Sequence, residues 1–194
     1  LTGIHNALKA GVDTIEHGNF MDDEVAKFMA DNEIAIVPTM STFYYKATFS
    51  EHLKGVPPHI IRKAKEILAG SYKVLNYVNE YNLLLAAGTD SGATRTPHGA
   101  VVYELELYVH AGISPFDALL SATSNAAKAC GVENILGTIE AGKIADFIGI
   151  KEDPLMNISA LRDVDTVVKE GRIEKRNGMG HETENDISSL IIKQ

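Results

Sequence analysis

The sequence predicts an α/β protein in which helices cover the faces of a parallel sheet. Residues 34–37 and 83–87 are short apolar runs without polar alternation, residues 12–15 are a β-branched run, and amphipathic stretches separate the three. A strand buried on both faces reads as a continuous apolar run, and parallel neighbours need a crossover, usually a helix. This pattern fits an open doubly wound sheet or a (β/α) barrel equally well. A further observation locates chemistry. The first run ends Thr14-Ile15-Glu16-His17-Gly18, and the third continues into Ala87-Gly88-Thr89-Asp90-Ser91-Gly92. Strand C-termini converge on one crevice in both architectures, so these side chains can meet at one ion or one substrate.

Each element has a local cause. Ile4, Ala7 and Leu8 share one helical face and Gly11 ends that helix; the β-branched run 12–15 follows. Asp22 can cap a helix carrying Val25, Phe28 and Met29, and Pro38 halts the strand 34–37. Residues 41–58, with Phe43, Tyr44, Tyr45 and Phe49, read as a long irregular connection, either a specificity loop or aromatic packing. A long helical pattern then carries Ile60, Ala64, Ile67, Leu68, Val74, Leu75 and Val78. After the third strand, Ser114, Pro115 and Asp117 form a capping box, and a helical segment over 123–130 closes at Gly131. Beyond Asn134 the texture changes to short β patterns at 136–139, 145–150 and 164–168, with a hairpin turn at Lys169-Glu170-Gly171-Arg172. The expected division is an α/β part over 1–134, a small all-β part over 135–176 and a polar tail over 177–194.

Composition excludes several classes. With 194 residues, 45% of them hydrophobic, the chain can bury a core. The net charge of -8, from 26 acidic and 18 basic residues, comes with no Lys/Arg cluster, which argues against nucleic acid as a partner. No apolar run reaches the roughly 18 residues that span a bilayer, so a membrane partner is not expected. The single cysteine, Cys130, cannot form a disulfide within the chain, which suits a reducing, cytoplasmic setting. The sequence opens at Leu1 directly into a helical pattern and reads as a piece of a longer protein. Homo-oligomerisation stays open.

Among candidate residues, His17 is either a hydrogen-bonded structural histidine or a metal ligand, and Gly18 lets the chain turn sharply beside it. Asp90 is either an Asx-turn former or a carboxylate that binds a divalent ion and takes a proton from the water that ion acidifies. His98, between Pro97 and Gly99, can reach the same crevice and hold a substrate carboxylate or carbonyl, or it is a surface loop residue. His5, His52, His59, His110 and His181 have no partner at ligand spacing, and no H-x-H, H-E-x-x-H or C-x-x-C occurs. The loop 88–92 could also cradle a phosphate through backbone N–H groups, although no P-loop motif accompanies it.

The runs A-G-V-D-T-I-E-H-G (10–18), A-G-T-D-S-G (87–92), P-H-G (97–99), L-G-T-I-E-A-G-K-I-A-D-F (136–147) and D-P-L (153–155) together resemble the metal-dependent amidohydrolase superfamily. The nearest likeness is to its imidazolonepropionase-like and prolidase-like members. The resemblance implies the C-terminal part of a (β/α)8 TIM-like barrel, strands six to eight, with C-terminal strands of a small β-sandwich. It also implies hydrolysis of amide or peptide C–N bonds in small molecules by metal-activated water. His17 would be the strand-six metal ligand and Asp90 the strand-eight metal contact and general base; His98 would touch substrate. The cofactor would be one or two divalent ions, expected to be zinc. The superfamily's H-x-H, bridging lysine and strand-five histidine have no counterpart here, so a missing N-terminal half would be a needed partner. Two other readings are a truncated, non-catalytic interaction domain and an α/β domain that binds phosphate ligands.

Overall fold

Ile15 and Ile36 lie side by side at the centre of the structure, a computed structural model that describes residues 1–49, 57–92 and 96–176. Strand β1 (Thr14–Glu16) pairs in parallel with β2 (Ala35–Val37). On its other side β2 meets a third segment through a parallel bridge between Ile36 and Leu85. Ile36 N–H donates to the Leu84 carbonyl at 2.9 Å and Ala86 N–H to the Ile36 carbonyl at 3.0 Å. All of β2 is buried, which is why its sequence lacks polar alternation. The third strand expected over 83–87 is shorter than its apolar run, because Ala87 N–H leaves the ladder and donates to the Ser121 carbonyl at 2.7 Å.

Helices α1 (Thr2–Lys9) and α2 (Asp23–Asp31) flank the strands. The Asp22 carboxylate caps α2 by accepting from Val25 N–H at 3.0 Å, as its position predicts. Val25 and Met29 are buried, whereas Phe28, expected on the same face, is 45% exposed. Residues 41–58 depart from expectation: the irregular connection is in large part helix α3 (Met40–Phe49), and residues 50–56 lie outside the described residues. Helix α4 (Pro58–Tyr81) follows the predicted pattern, with Pro58 in its first turn and Asn82 in the left-handed conformation at its end.

Helix α5 (Val101–His110) was not signalled by the sequence, since V-V-Y-E-L-E-L-Y-V lacks a clean helical period. Tyr103, Glu104, Leu105, Leu107 and Tyr108 are all buried in it. Glu104 is the reason α3 exists where it does. Its carboxylate accepts from Met40 N–H and Ser41 N–H, both at 2.7 Å, at the first turn of α3. An N-terminal turn has donors without intrahelical partners, and a carboxylate there satisfies two of them and suits the helix dipole. Helix α6 (Pro115–Ser121) begins at the predicted capping box, with Asp117 N–H donating to Ser114 Oγ at 3.0 Å, and α7 (Ser124–Ala129) follows.

Strands β3 (Phe147–Ile150), β4 (Val164–Lys169) and β5 (Arg172–Arg176) form an antiparallel sheet in that order. The hairpin falls at the predicted place, with Glu170 and Gly171 both at positive φ, 52° and 77°. Asp146 braces it, accepting from Lys169 Nζ at 2.7 Å and Glu170 N–H at 2.6 Å. These contacts hold the Asp146 carboxyl below its usual range, the Lys169 hydrogen bond most strongly. Residues 136–139 are not a strand: Gly137, at φ 91°, packs so tightly on α7 that an added Cβ would lie 2.6 Å from the Ala127 Cβ. A 3₁₀ helix (Ile158–Arg162) docks on α5 through Arg162 and Ser159, which both donate to Glu106. The expected tail, 177–194, lies outside the described residues. No helix among the described residues is long and apolar enough to cross a membrane.

Removing the Glu104 carboxylate strands two buried N–H groups, so Glu104→Ala should lower the free energy of unfolding by about 2–4 kcal/mol in urea titrations. Burial raises Glu104 from 4.5 to about 7, against the opposing pull of the Ser41 and Met40 hydrogen bonds. Between those values the folded protein holds a proton that the unfolded chain has lost. Stability from this group therefore declines as pH rises through the window from about 4.5 to about 7 and is level above it. Glu104→Gln should flatten that dependence; an unchanged slope would contradict the assignment.

Candidate functional site

At the C-terminal edge of the parallel strands, three residues that are not glycine adopt left-handed backbone. His17 follows β1 at φ 66°, Thr39 follows β2 at φ 48°, and Asp90 follows the Leu85 segment at φ 52°. Such conformations cost of order 1–3 kcal/mol each and concentrate where a site demands a particular side-chain direction. Gly18, at φ 62°, continues the turn after His17, and an added Cβ there would lie 2.6 Å from Ile36 Cδ1.

His17 is half-buried and fully specified. Its N–H donates to the Val37 carbonyl at 2.8 Å, extending the β1–β2 ladder by one residue. Its Nδ1 and Thr39 Oγ1 share a short hydrogen bond. The Thr39 hydroxyl has one proton, which it donates to the Pro38 carbonyl at 2.8 Å. It must therefore accept from Nδ1–H, and the neutral imidazole is left with a free lone pair on Nε2. Phe43, one turn into α3, meets the imidazole edge-on with ring centroids 5.4 Å apart.

The Asp90 loop is braced from both sides. Gly88 has no room for a side chain, since a Cβ would lie 2.5 Å from Val37 Cγ1, so this glycine serves strand packing. Thr89 and Ser91 hydroxyls meet at 2.6 Å, Ser91 Oγ donates to the Pro97 carbonyl at 3.0 Å, and Gly92 N–H donates to the Thr96 carbonyl at 3.0 Å. Thr96 in turn shares a hydrogen bond with Thr42 of α3. Asp90 itself is exposed and, among the described residues, its carboxylate has no hydrogen bond or ion pair. His98 is exposed beside the same loop, its ring 3.6 Å from where a Gly92 Cβ would stand.

β2 lies between the segments that carry His17 and Asp90, a backbone separation of two strand spacings, or about 10 Å. None of His17, Asp90 and His98 hydrogen-bonds another, and no group of three His, Cys, Asp or Glu among the described residues is placed to hold a metal ion. An imidazole Nε2 and an unpaired carboxylate fit a divalent cation in kind and fall short in number. Sequence reasoning missed Thr39 and Glu104. Thr39 carries a faint signal, a hydroxyl directly after the strand-ending Pro38; Glu104 carries none, because its partners lie 63 and 64 residues away. Of the other histidines, His52 and His181 lie outside the described residues.

Comparison with known proteins extends this geometry. The Amidohydrolase family profile matches residues 1–173. Ochratoxinase from Aspergillus niger is 29% identical over 183 residues, covering 92% of this chain and 37% of that protein. Imidazolonepropionase from Symbiobacterium thermophilum is 34% identical over 98 residues, covering 48% of this chain and 23% of that protein. A crystal structure of a Xaa-Pro dipeptidase with methionine bound in the active site superposes with a TM-score of 0.82 at 37% identity, over 90% of this chain and 42% of that one. The chain thus spans less than half the length of the relatives it matches. The α/β class and the partial (β/α) barrel with a small antiparallel sheet agree with these structural neighbours.

The loop after β1 leans on α4, where Ser71 Oγ donates to Asn19 Oδ1 at 2.6 Å and Gly70 lies so close that a Cβ would stand 2.4 Å from the Asn19 carbonyl oxygen. In an open helix Gly→Ala gains about 1 kcal/mol. Here overpacking against rigid backbone, about 1–3 kcal/mol, should win. Gly70→Ala is expected to lower the melting temperature, and a rise would show that α4 does not clamp the His17 loop.

Proposed function

Because the chain belongs to the Amidohydrolase family, we propose that it forms part of a metal-dependent hydrolase of non-ester carbon–nitrogen bonds, with amides or dipeptides as substrates. The observation that carries this reading is the edge where His17, Thr39 and Asp90, each in left-handed backbone, follow three neighbouring parallel segments. The related ochratoxinase and Xaa-Pro dipeptidase support the bond type. His17 offers Nε2, with Thr39 fixing the tautomer through Nδ1, and Asp90 offers a carboxylate with no competing partner among the described residues. Such outer partners commonly sustain the affinity of a ligating histidine.

Zinc suits these donors, and an ion held there would supply the positive charge that polarises an amide carbonyl and acidifies water. Asp90 takes the proton of the attacking water and passes it to the leaving nitrogen as the C–O bond forms and the C–N bond breaks. His98, beside Gly92, orients the substrate carbonyl or carboxylate. The remaining metal ligands come from the part of the longer relatives that this chain does not match. A single exposed thiol, Cys130, suits a cytoplasmic setting.

The shortage of grouped ligand donors among the described residues supports a second reading, a non-catalytic domain that serves as an interaction partner. Metal content and amidase activity of the 194-residue chain separate the two. Stable folding with neither favours the second reading; bound metal or turnover favours the first.

In the protein as the cell makes it, supplied with divalent metal, Asp90→Asn should lower kcat by about 10²–10⁴-fold, the range for loss of a general base. His17→Ala should reduce the metal retained after dialysis, read by elemental analysis. Hydrolysis by Asp90→Asn within a few-fold of the parent would remove Asp90 from the proton-transfer role.

A further inference from the structure

Phe43 contacts two functional groups from α3. Its ring lies against the His17 imidazole at 5.4 Å, and Lys46, one turn further along, holds its Nζ 5.8 Å from the same ring centroid. Lys46 is half-buried, and among the described residues its ammonium has no ion pair or hydrogen bond. That is notable in a chain with 26 acidic residues, where Lys128, Lys143 and Lys169 each reach a carboxylate. Lys46 is also the one lysine or arginine among the described residues of 14–19, 35–49, 83–92 and 96–100, the segments that frame the site. The other electropositive feature there, the N-terminus of α3, is already occupied by Glu104.

We propose that Lys46 binds a free carboxylate on the leaving-group side of the scissile bond. The preferred substrates are then dipeptides and N-acyl amino acids rather than amides without an acid. This inference rests on the hydrolase reading above and adds a residue and a substrate feature to it. The two ring contacts keep the ammonium within about 11 Å of the imidazole centroid. That span accommodates a scissile carbonyl beside His17, the two bonds that lead to the leaving residue's α-carbon, and a charge-assisted hydrogen bond of about 2.8 Å to its carboxylate. The weak hold of the aromatic face orients the ammonium without neutralising it, so a substrate anion meets a charge that no described residue compensates.

The test uses the metal-supplied protein as the cell makes it, with dipeptides, N-acetyl amino acids and the same compounds amidated at the C-terminus. Lys46→Gln should lower kcat/KM for the acids by roughly 10–100-fold, mainly through KM, and for the amidated compounds by less than about twofold. Lys46→Arg should restore most of the loss. Calorimetry of the metal-free protein with the product amino acid should show weaker binding in Lys46→Gln by a similar factor. Equal loss on acids and capped amides, or no loss on either, overturns the Lys46 assignment and leaves the hydrolase reading standing. A parent protein that cleaves neither set overturns both.

Discussion

A carboxylate excluded from solvent must be met by donors, and Glu104 meets two at the first turn of α3. That contact fixes where β2 ends and α3 begins. Thr39 occupies the single position between Pro38 and the capped Met40, and its hydroxyl reaches His17 from there. Phe43 and Lys46 follow on the same helix. The Tyr108 hydroxyl, raised well above its ordinary range by burial and then by the Glu104 charge, stays protonated against the Ala86 carbonyl at 3.4 Å. Glu104 and Tyr108 of α5 thus hold the end of β2 and the segment that leads to Asp90, respectively.

The rest of the site follows from small residues that permit close approach. Gly18 and Gly88 let β1 and the third segment pack against Ile36 and Val37, and Gly70 lets α4 press on the loop beyond His17. Hydroxyl contacts from Thr89 to Pro97 then hold the Asp90 loop without engaging its carboxylate. A rigid frame around an acid with no partner among the described residues and a singly committed imidazole suits a site whose further ligands are supplied from outside the pair.

How much of this could be read in the sequence depended on the range of the forces involved. The parallel pair, the Asp22 and Ser114 caps, the long α4 and the hairpin at Glu170-Gly171 all have local causes, and each lies where its residues predicted. The sequence of α3 reads as irregular because its cap arrives from Glu104, far along the chain. Residues 136–139 read as a strand in sequence, and that β-like pattern is overridden by Gly137 packing on α7. The positions of His17 and Asp90 at strand ends were legible from apolar runs that stop at a polar residue. Thr39, which decides the tautomer, and Lys46, which belongs to a helix the pattern concealed, were not.

In the proposed function His17 Nε2 and the Asp90 carboxylate face one cation from either side of β2. A crystal structure of the protein as the cell makes it, grown with zinc and read by anomalous scattering at the zinc edge, tests it most directly. The expected result is a peak about 2.0–2.2 Å from both His17 Nε2 and an Asp90 oxygen, with Thr39 Oγ1 on Nδ1. A peak that touches neither residue, or His17 and Asp90 turned to opposite faces of the strands, would contradict it.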